Sequence, residues 1–254
     1  LQGQSKLIPG FALGQQGLRV ELELCGAEDN INSETASNSI LWDITDARVC
    51  YNSIQVNSQL MSSFSSALLQ NRPIMFPFRS FVSTMHALPA DTQEWDVNVA
   101  RSFTRLNSVF VTLLGDMTSD LKTTNYFFNP TSQLGDNVSN YLAIGDRRWS
   151  QFDRQGTSEH MKRLMETIGT DNSFQDMGIS RQRYEVDSAV FAWDTEKLSG
   201  AVGSGHNMSH GQLLRVHFAG VGDGVDAHHA TRAYCALHHD VILELSASGA
   251  IVHT

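Results

Sequence analysis

Tyr234-Cys-Ala-Leu-His-His-Asp-Val-Ile-Leu-Glu-Leu-Ser-Ala-Ser-Gly-Ala-Ile-Val-His253 is the stretch that decides how the chain is read. Cys235, Leu237, Val241, Leu243 and Leu245 fall on one parity; Tyr234, His238, Asp240, Ile242 and Glu244 fall on the other. A period of two is that of a half-buried β-strand, because successive side chains on a strand point to opposite faces. Ser246, Ser248 and Gly249 then supply a turn, and Ala250 to His253 predicts a short final strand. A chain that ends inside a sheet needs that sheet completed. His238 and His239 lie here too, so a metal site is weighed on the same residues.

Upstream, Leu18, Val20, Leu22 and Leu24 alternate with Arg19, Glu21 and Glu23, which predicts a one-face strand. Residues 26–39 are polar and read as a loop. Ile40 to Asp46 starts a second strand, which Ala47 to Val56 continues or follows. Pro73 to Val82 is strand-like, but Pro73 and Pro77 confine it to an edge or a bulge. Trp95–Ala100, Asn107–Leu114, Tyr141–Ile144, Val190–Trp193 and Leu213–Ala219 add further strands.

Two segments change period. Leu60, Met61, Phe64 and Leu68 share a helical face behind Asn57, a good N-cap, and predict a short helix docked on the sheet. Met161, Leu164, Met165 and Ile168 make the stripe of a second helix, with Thr157 as cap and Gly169 as stop. Residues 118–140 read as a long exposed loop with an aromatic anchor at Tyr126-Phe-Phe128. These strands do not alternate with helices as a parallel sheet demands. The predicted fold class is all-β, an antiparallel jelly-roll sandwich with two short helices in long connections. Residues 1–17 form a lead-in segment and residues 18–254 the jelly-roll domain.

The chain has 254 residues, of which 41% are hydrophobic and 18% charged, so it has room for a sizeable core. A net charge of −9 argues against gripping nucleic acid through clustered Lys and Arg. No apolar run approaches the roughly 18 residues that cross a bilayer, and no signal peptide opens the chain. Cys25, Cys50 and Cys235 are widely spaced and read as reduced buried thiols. Asn137-Val-Ser and Asn207-Met-Ser match glycosylation sequons but lack a secretory signal to give them meaning. Synthesis inside the cell fits these features.

Histidines gather toward the end: His206, His210, His217, His228, His229, His238, His239 and His253. A cupin is also a jelly roll, and it binds metal through inner-strand His and Glu, so it is the rival reading. Here no H-x-H precedes a placed Glu, and His238 and His239, adjacent on a strand, point to opposite faces. His228 and His229 sit in a Gly/Asp loop. Gly220 to Asp226 has calcium-loop composition without the spacing, and Gly200 to Gly205 lacks the Gly-Lys-Ser/Thr of a phosphate loop. No G-x-S-x-G or paired carboxylates stand out. A carbohydrate-binding sandwich would use Tyr126, Phe127, Phe128 and Trp149. The expectation is a protein with no catalytic residue, bound metal or cofactor.

Four stretches together resemble the double jelly-roll major capsid proteins of DNA viruses, particularly polinton-like viruses and their relatives. Leu7-Ile-Pro-Gly ahead of Leu18–Leu24 looks like the connection into the second jelly roll. Ile44 to Asn57, with the helix after it, is similar to the next element of that family. Tyr141-Leu-Ala-Ile-Gly-Asp-Arg-Arg-Trp149 before the helix from Ser158 resembles the family's strand, basic-aromatic turn and helix. Last, Leu198-Ser-Gly leads into the Leu213–Ala219 strand and the closing Val241–Gly249.

The resemblance spans nearly the whole chain in the expected order, yet the chain has room for about one jelly roll where the family carries two. It implies a structural role: homotrimers whose six jelly rolls tile as pseudo-hexagons in an icosahedral shell, in contact with neighbouring capsomers, penton and minor capsid proteins. The location implied is the virion. Interfaces of this obligate kind bury on the order of 2,000 Å² or more. Because the sequence opens on Leu1, an N-terminal jelly roll is expected to precede it, and its removal to leave an apolar flank.

Overall fold

Alternating segments become strands where a neighbouring strand accepts their ladder. The computed structural model describes residues 10, 19–24, 43–88, 94–114, 127–128, 138–150, 152–170, 177–186, 188–198, 203–208, 211–220, 232–246 and 249–253. Its strands are β1 (Ile74–Ala87), β2 (Glu94–Val99), β3 (Leu106–Leu114), β4 (Phe127–Phe128), β5 (Ser139–Ile144), β6 (Arg147–Arg148), β7 (Arg154–Gln155), β8 (Phe191–Asp194), β9 (Leu214–Ala219), β10 (Arg232–Ser246) and β11 (Gly249–His253). The helices are α1 (Ser58–Leu69), α2 (Thr157–Ile168) and α3 (Arg181–Val186).

The pairings nest. β1 lies beside β10, β2 pairs with β9, β3 with β8, and β5 with β6. With β11 set aside as a hairpin on β10, and β4 and β7 as short additions to β3 and β5, the pairs close inward from β1 and β10, as in one long antiparallel hairpin wound on itself. That winding is the jelly roll. It produces one sheet ordered β1–β10–β3, with β8 and β4 also on β3, and a second ordered β2–β9–β5–β6. β1 ends its sheet order, so Pro77, which cannot donate to a ladder, sits on an edge strand as predicted.

The chain divides into two compact units: Leu1–Phe78, Leu121–Thr123 and Val241–His253 form one, and Arg79–Asp120, Thr124–Asp240 and Thr254 the other. The second unit holds the sandwich core. Trp95, Val97 and Val99 from β2, Val109, Val111 and Leu113 from β3, Leu214, Val216 and Phe218 from β9, and Cys235 and Leu237 from β10 pack together with Trp193. Each is at most 3% exposed, and burying one such aliphatic side chain contributes about 1.5–3 kcal/mol. α2 covers a separate small cluster in which Met161 and Leu164 meet Tyr184, Ala189 and Ala192.

α2 follows its stripe with two corrections. Ile168 is 46% exposed, because Gly169 turns into the left-handed region at φ 76° and ends the helix before that side chain can tuck in. Thr157 is not the cap: Gly156 occupies that position without a side-chain bond, and Thr157 is buried as the first helical residue. In the first unit, α1 starts as predicted, Asn57 Oδ1 accepting from the Gln59 N–H at 2.8 Å. Its apolar stripe, however, is only partly covered: Phe64 and Leu68 are half-buried while Leu60 and Met61 are exposed. Likewise, residues 19–24 and 43–56, predicted as strands, form none. Alternation specifies which face would be buried, but a strand also needs a ladder partner. Among the described residues these segments have none, and Leu22 stands 77% exposed. Most of the loop predicted over 118–140 lies outside the described residues; of it, β4 pairs with Leu113 and Leu114 and Ser139–Asn140 open β5.

Candidate functional site

The closing strand departs from a plain ladder where its histidines stand. β10 runs against β3 from Arg232↔Leu114 to His238↔Ser108, and the next rung is His239↔Leu106. Asn107 is therefore an extra residue on β3, a bulge. The slip lets three consecutive β10 residues be buried, His239, Asp240 and Val241, where simple alternation would turn Asp240 outward.

Asp240, 6% exposed, is the centre of the resulting polar cluster. Asn107 Nδ2 donates to Asp240 Oδ1 at 2.7 Å, and the Gly203 N–H donates to Oδ2 at 2.9 Å. Arg79 reaches from β1, its Nη2 2.7 Å from Glu196 Oε1 and its Nε 3.9 Å from Asp240 Oδ1. Thr195 Oγ1 and the His206 N–H both donate to the Leu106 carbonyl, at 2.6 and 2.7 Å. Gly205 is required here, since a Cβ on it would collide with Asn107 Oδ1 and the Leu106 carbonyl. These bonds tie β1, β3, β10 and the segments around Glu196 and Gly203 to one another.

His238 stacks on Phe81 at 4.5 Å, with its Nδ1 3.1 Å from Ser108 Oγ. Burial, with Arg79 nearby, pulls it down to about 4. His239 stacks on Phe103 at 4.5 Å, and burial lowers it as well. The two rings thus sit on different aromatic partners, as neighbours on a strand must. The other described histidines are dispersed. His217 on β9 stacks on Tyr141 and meets Asp96 Oδ1 at 2.9 Å. His206 sits edge-on to Trp149, and His253 pairs with Glu244 Oε2 at 2.8 Å. His210, His228 and His229, with Gly222 to Asp226, lie outside the described residues. Among the described residues no three His, Cys, Asp or Glu side chains converge as a metal cage would require.

Of the aromatic cluster Tyr126, Phe127, Phe128 and Trp149, Tyr126 lies outside the described residues. β4, which contains Phe127 and Phe128, belongs to the sheet of β3, whereas Trp149 follows β6 of the other sheet and packs partly buried against the core. Trp149 is covered further by Arg147, whose guanidinium lies 4.6 Å from its ring centroid. Tyr141 is similarly occupied, with Arg148 at 3.7 Å and His217 stacked on it. The Trp149 and Tyr141 rings thus each already carry a partner. Arg148 is also paired with Asp153.

Below α2, Arg154 donates to the Ala192 carbonyl at 2.6 Å and lies over Trp193; burial, with Arg163 beside it, pulls its guanidinium down to about 10. His160 approaches Asn140 Nδ2 at 3.1 Å and the Arg154 carbonyl at 3.2 Å. These groups fasten helix to sheet. Sequence reading named His238 and Asp240 but not Arg79, Asn107 or Glu196. Asn107, with Ser108 beside it, left a signal, as a polar pair opening a mostly apolar strand.

No protein-family model matches the chain, and no curated protein sequence matches it. Among solved structures, the chain is similar to one from the cryo-EM structure of the Sputnik virophage, at 10% identity and a TM-score of 0.43, covering 71% of this chain and 38% of that one. It is similar to a chain of the PBCV-1 virus capsid, at 10% identity and a TM-score of 0.46, covering 78% and 55%. PBCV-1 VP54, as fitted into a reconstruction of the virophage Sputnik, gives 10% identity and a TM-score of 0.48 over the same shares. The chain thus spans about half the length, or less, of these proteins.

Proposed function

We propose that this chain is a structural protein of a viral capsid, a jelly roll of the double jelly-roll major capsid class, and that it catalyses no reaction. It works as a homotrimer, a pseudo-hexagonal capsomer in an icosahedral shell, touching neighbouring capsomers, penton and minor capsid proteins. A companion jelly roll precedes this one in the native gene product, and the mature protein resides in the virion. The nested jelly-roll pairing and the family resemblance of Leu18–Leu24, Ile44–Asn57, Tyr141–Trp149 and Val241–Gly249 support this reading.

The observation that carries it is apolar surface patterned for burial yet left exposed. Val20, Leu22 and Leu24, then Ile44, Val49, Tyr51 and Ile54, then Leu60, Met61 and Leu69 all stand in solvent in the single chain. Apolar side chains that alternate as on a buried face yet stand exposed fit a surface that another protein covers. Among the described residues, no helix is long and apolar enough to cross a membrane.

Light scattering of the native protein together with electron microscopy of its source tests the reading. Trimers and shells with sixfold-like tiles are expected, along with a native subunit of about twice this chain's mass. A well-behaved monomer, with no particle in its source, contradicts the capsid role. A native subunit no heavier than this chain contradicts the companion domain alone.

A further inference from the structure

Several segments of the sandwich unit meet at one point, and that point holds two imidazoles, two carboxylates and the Arg79 guanidinium. β1 brings Arg79 and Phe81, the approach to β3 brings Phe103 and the Arg105 carbonyl, and β3 itself brings Asn107 and Ser108. Glu196 comes from beyond β8 and the Gly203 amide from the glycine loop, while β10 presents His238, His239 and Asp240 across its bulge.

An imidazolium has no counter-ion to itself here. His238 lies on Phe81, with Arg79 as the neighbouring cation. His239 lies on Phe103 with Nε2 buried and without a hydrogen-bond partner, and its Nδ1 is 3.3 Å from the Asp240 carbonyl oxygen. The Asp240 carboxylate is already engaged by Asn107, Gly203 and Arg79. Glu196 is held by Arg79, and Arg105 lies against Gly203. β3 contributes only uncharged groups, Asn107 and Ser108.

We propose that this cluster is an acid-operated latch: protonation of His238 and His239 breaks the hold of Asp240 on Gly203 and frees residues 203–206 from the sheet, while the core stays folded. The sign follows from the rings being neutral in the closed state. Both are held below the ordinary value of 6.5, His238 at about 4, by burial. The stability that the neutral rings confer is complete above that ordinary value and is lost as pH falls toward about 4. Release is also local: residues 203–206 are held by the Gly203 amide on Asp240, the two-way Leu106–His206 bridge and the Ser204 bonds to Lys197 and Leu198, whereas Val109, Val111 and Val216 sit inside full ladders.

Hydrogen exchange of the Gly203 and His206 amides, corrected for its intrinsic pH dependence, tests the latch. Between about pH 6.5 and 4.5 the corrected rates should rise on the order of tenfold, while Val111 and Val216 keep their protection. The double variant His238→Phe/His239→Phe retains both aromatic stacks and should lose the acid response. An acid response undiminished in that variant, or no response in the wild type, overturns the latch. If the variant does not fold, the wild-type imidazole titrations decide: both rings should take up protons together with loop opening. A ring that protonates near pH 6.5 while the loop stays closed overturns it.

Discussion

Replacing Asp240 with alanine should cost the sandwich unit about 3–5 kcal/mol, the scale of losing two buried hydrogen bonds to a carboxylate. The figure can be built from the structure. Asn107 Nδ2 and the Gly203 N–H lose their acceptor, and Asn107 is only 1% exposed, so water cannot replace the carboxylate without opening the knot. Hydrogen bonds to a charged group contribute about 1.5–3 kcal/mol each. Arg79 keeps Glu196 at 2.7 Å, so no lone buried cation is added to the loss. For a domain of this size the melting temperature should fall by roughly 10 °C. Urea unfolding followed by near-UV circular dichroism reads the change through Trp95 and Trp193, both buried. Asp96→Ala is the internal control, because Asp96 pairs with His217 at 2.9 Å on the solvent face of β2, where such a pair contributes below about 1 kcal/mol. A loss from Asp240→Ala below about 1 kcal/mol, or no larger than that control, would refute the assignment of the cluster as a clasp.

Trp193→Ala should lose about 3–5 kcal/mol or abolish folding, since Trp193 is fully buried between Phe218 and Arg154; a Tm within a few degrees of wild type would contradict this. Gly205→Ala should cost about 1–3 kcal/mol through its collision with Asn107 and the Leu106 carbonyl. Gly211→Ala, at φ +70° with nothing near its Cβ, should cost only backbone strain of about 1–2 kcal/mol, and chemical denaturation of both variants compares them. A thiol reagent at mildly alkaline pH should modify Cys50, which is exposed and not the buried thiol that sequence suggested, and spare Cys235, whose thiol burial pushes up to about 12; peptide mapping with and without denaturant checks the contrast.

Which residues belong to strands, and which face of each strand is buried, was legible wherever the sequence alternates and a partner exists. Trp95, Val97 and Val99 alternate in sequence and alternate in burial, as do Leu214, Val216 and Phe218. The α2 stripe and its glycine stop were legible for the same local reason, a period of 3.6 ended by a residue free to turn left-handed. Those are properties of adjacent residues, and sequence records them directly.

Pairing is not such a property. Alternation alone predicted strands at 18–24 and 40–56 with the same confidence of pattern, yet a ladder is made by two segments and these find no partner among the described residues. The knot at Asp240 was hidden for a related reason. Arg79, Asn107, Glu196 and Gly203 are far apart in the chain, and nothing near any of them announces the others. The sequence by itself determined an all-β chain with the period and polarity of a sandwich, because side-chain alternation is local chemistry. Only the tertiary structure decided the nested pairing, the bulge at Asn107 and the burial of Asp240, because a register between distant strands exists only once they are brought together.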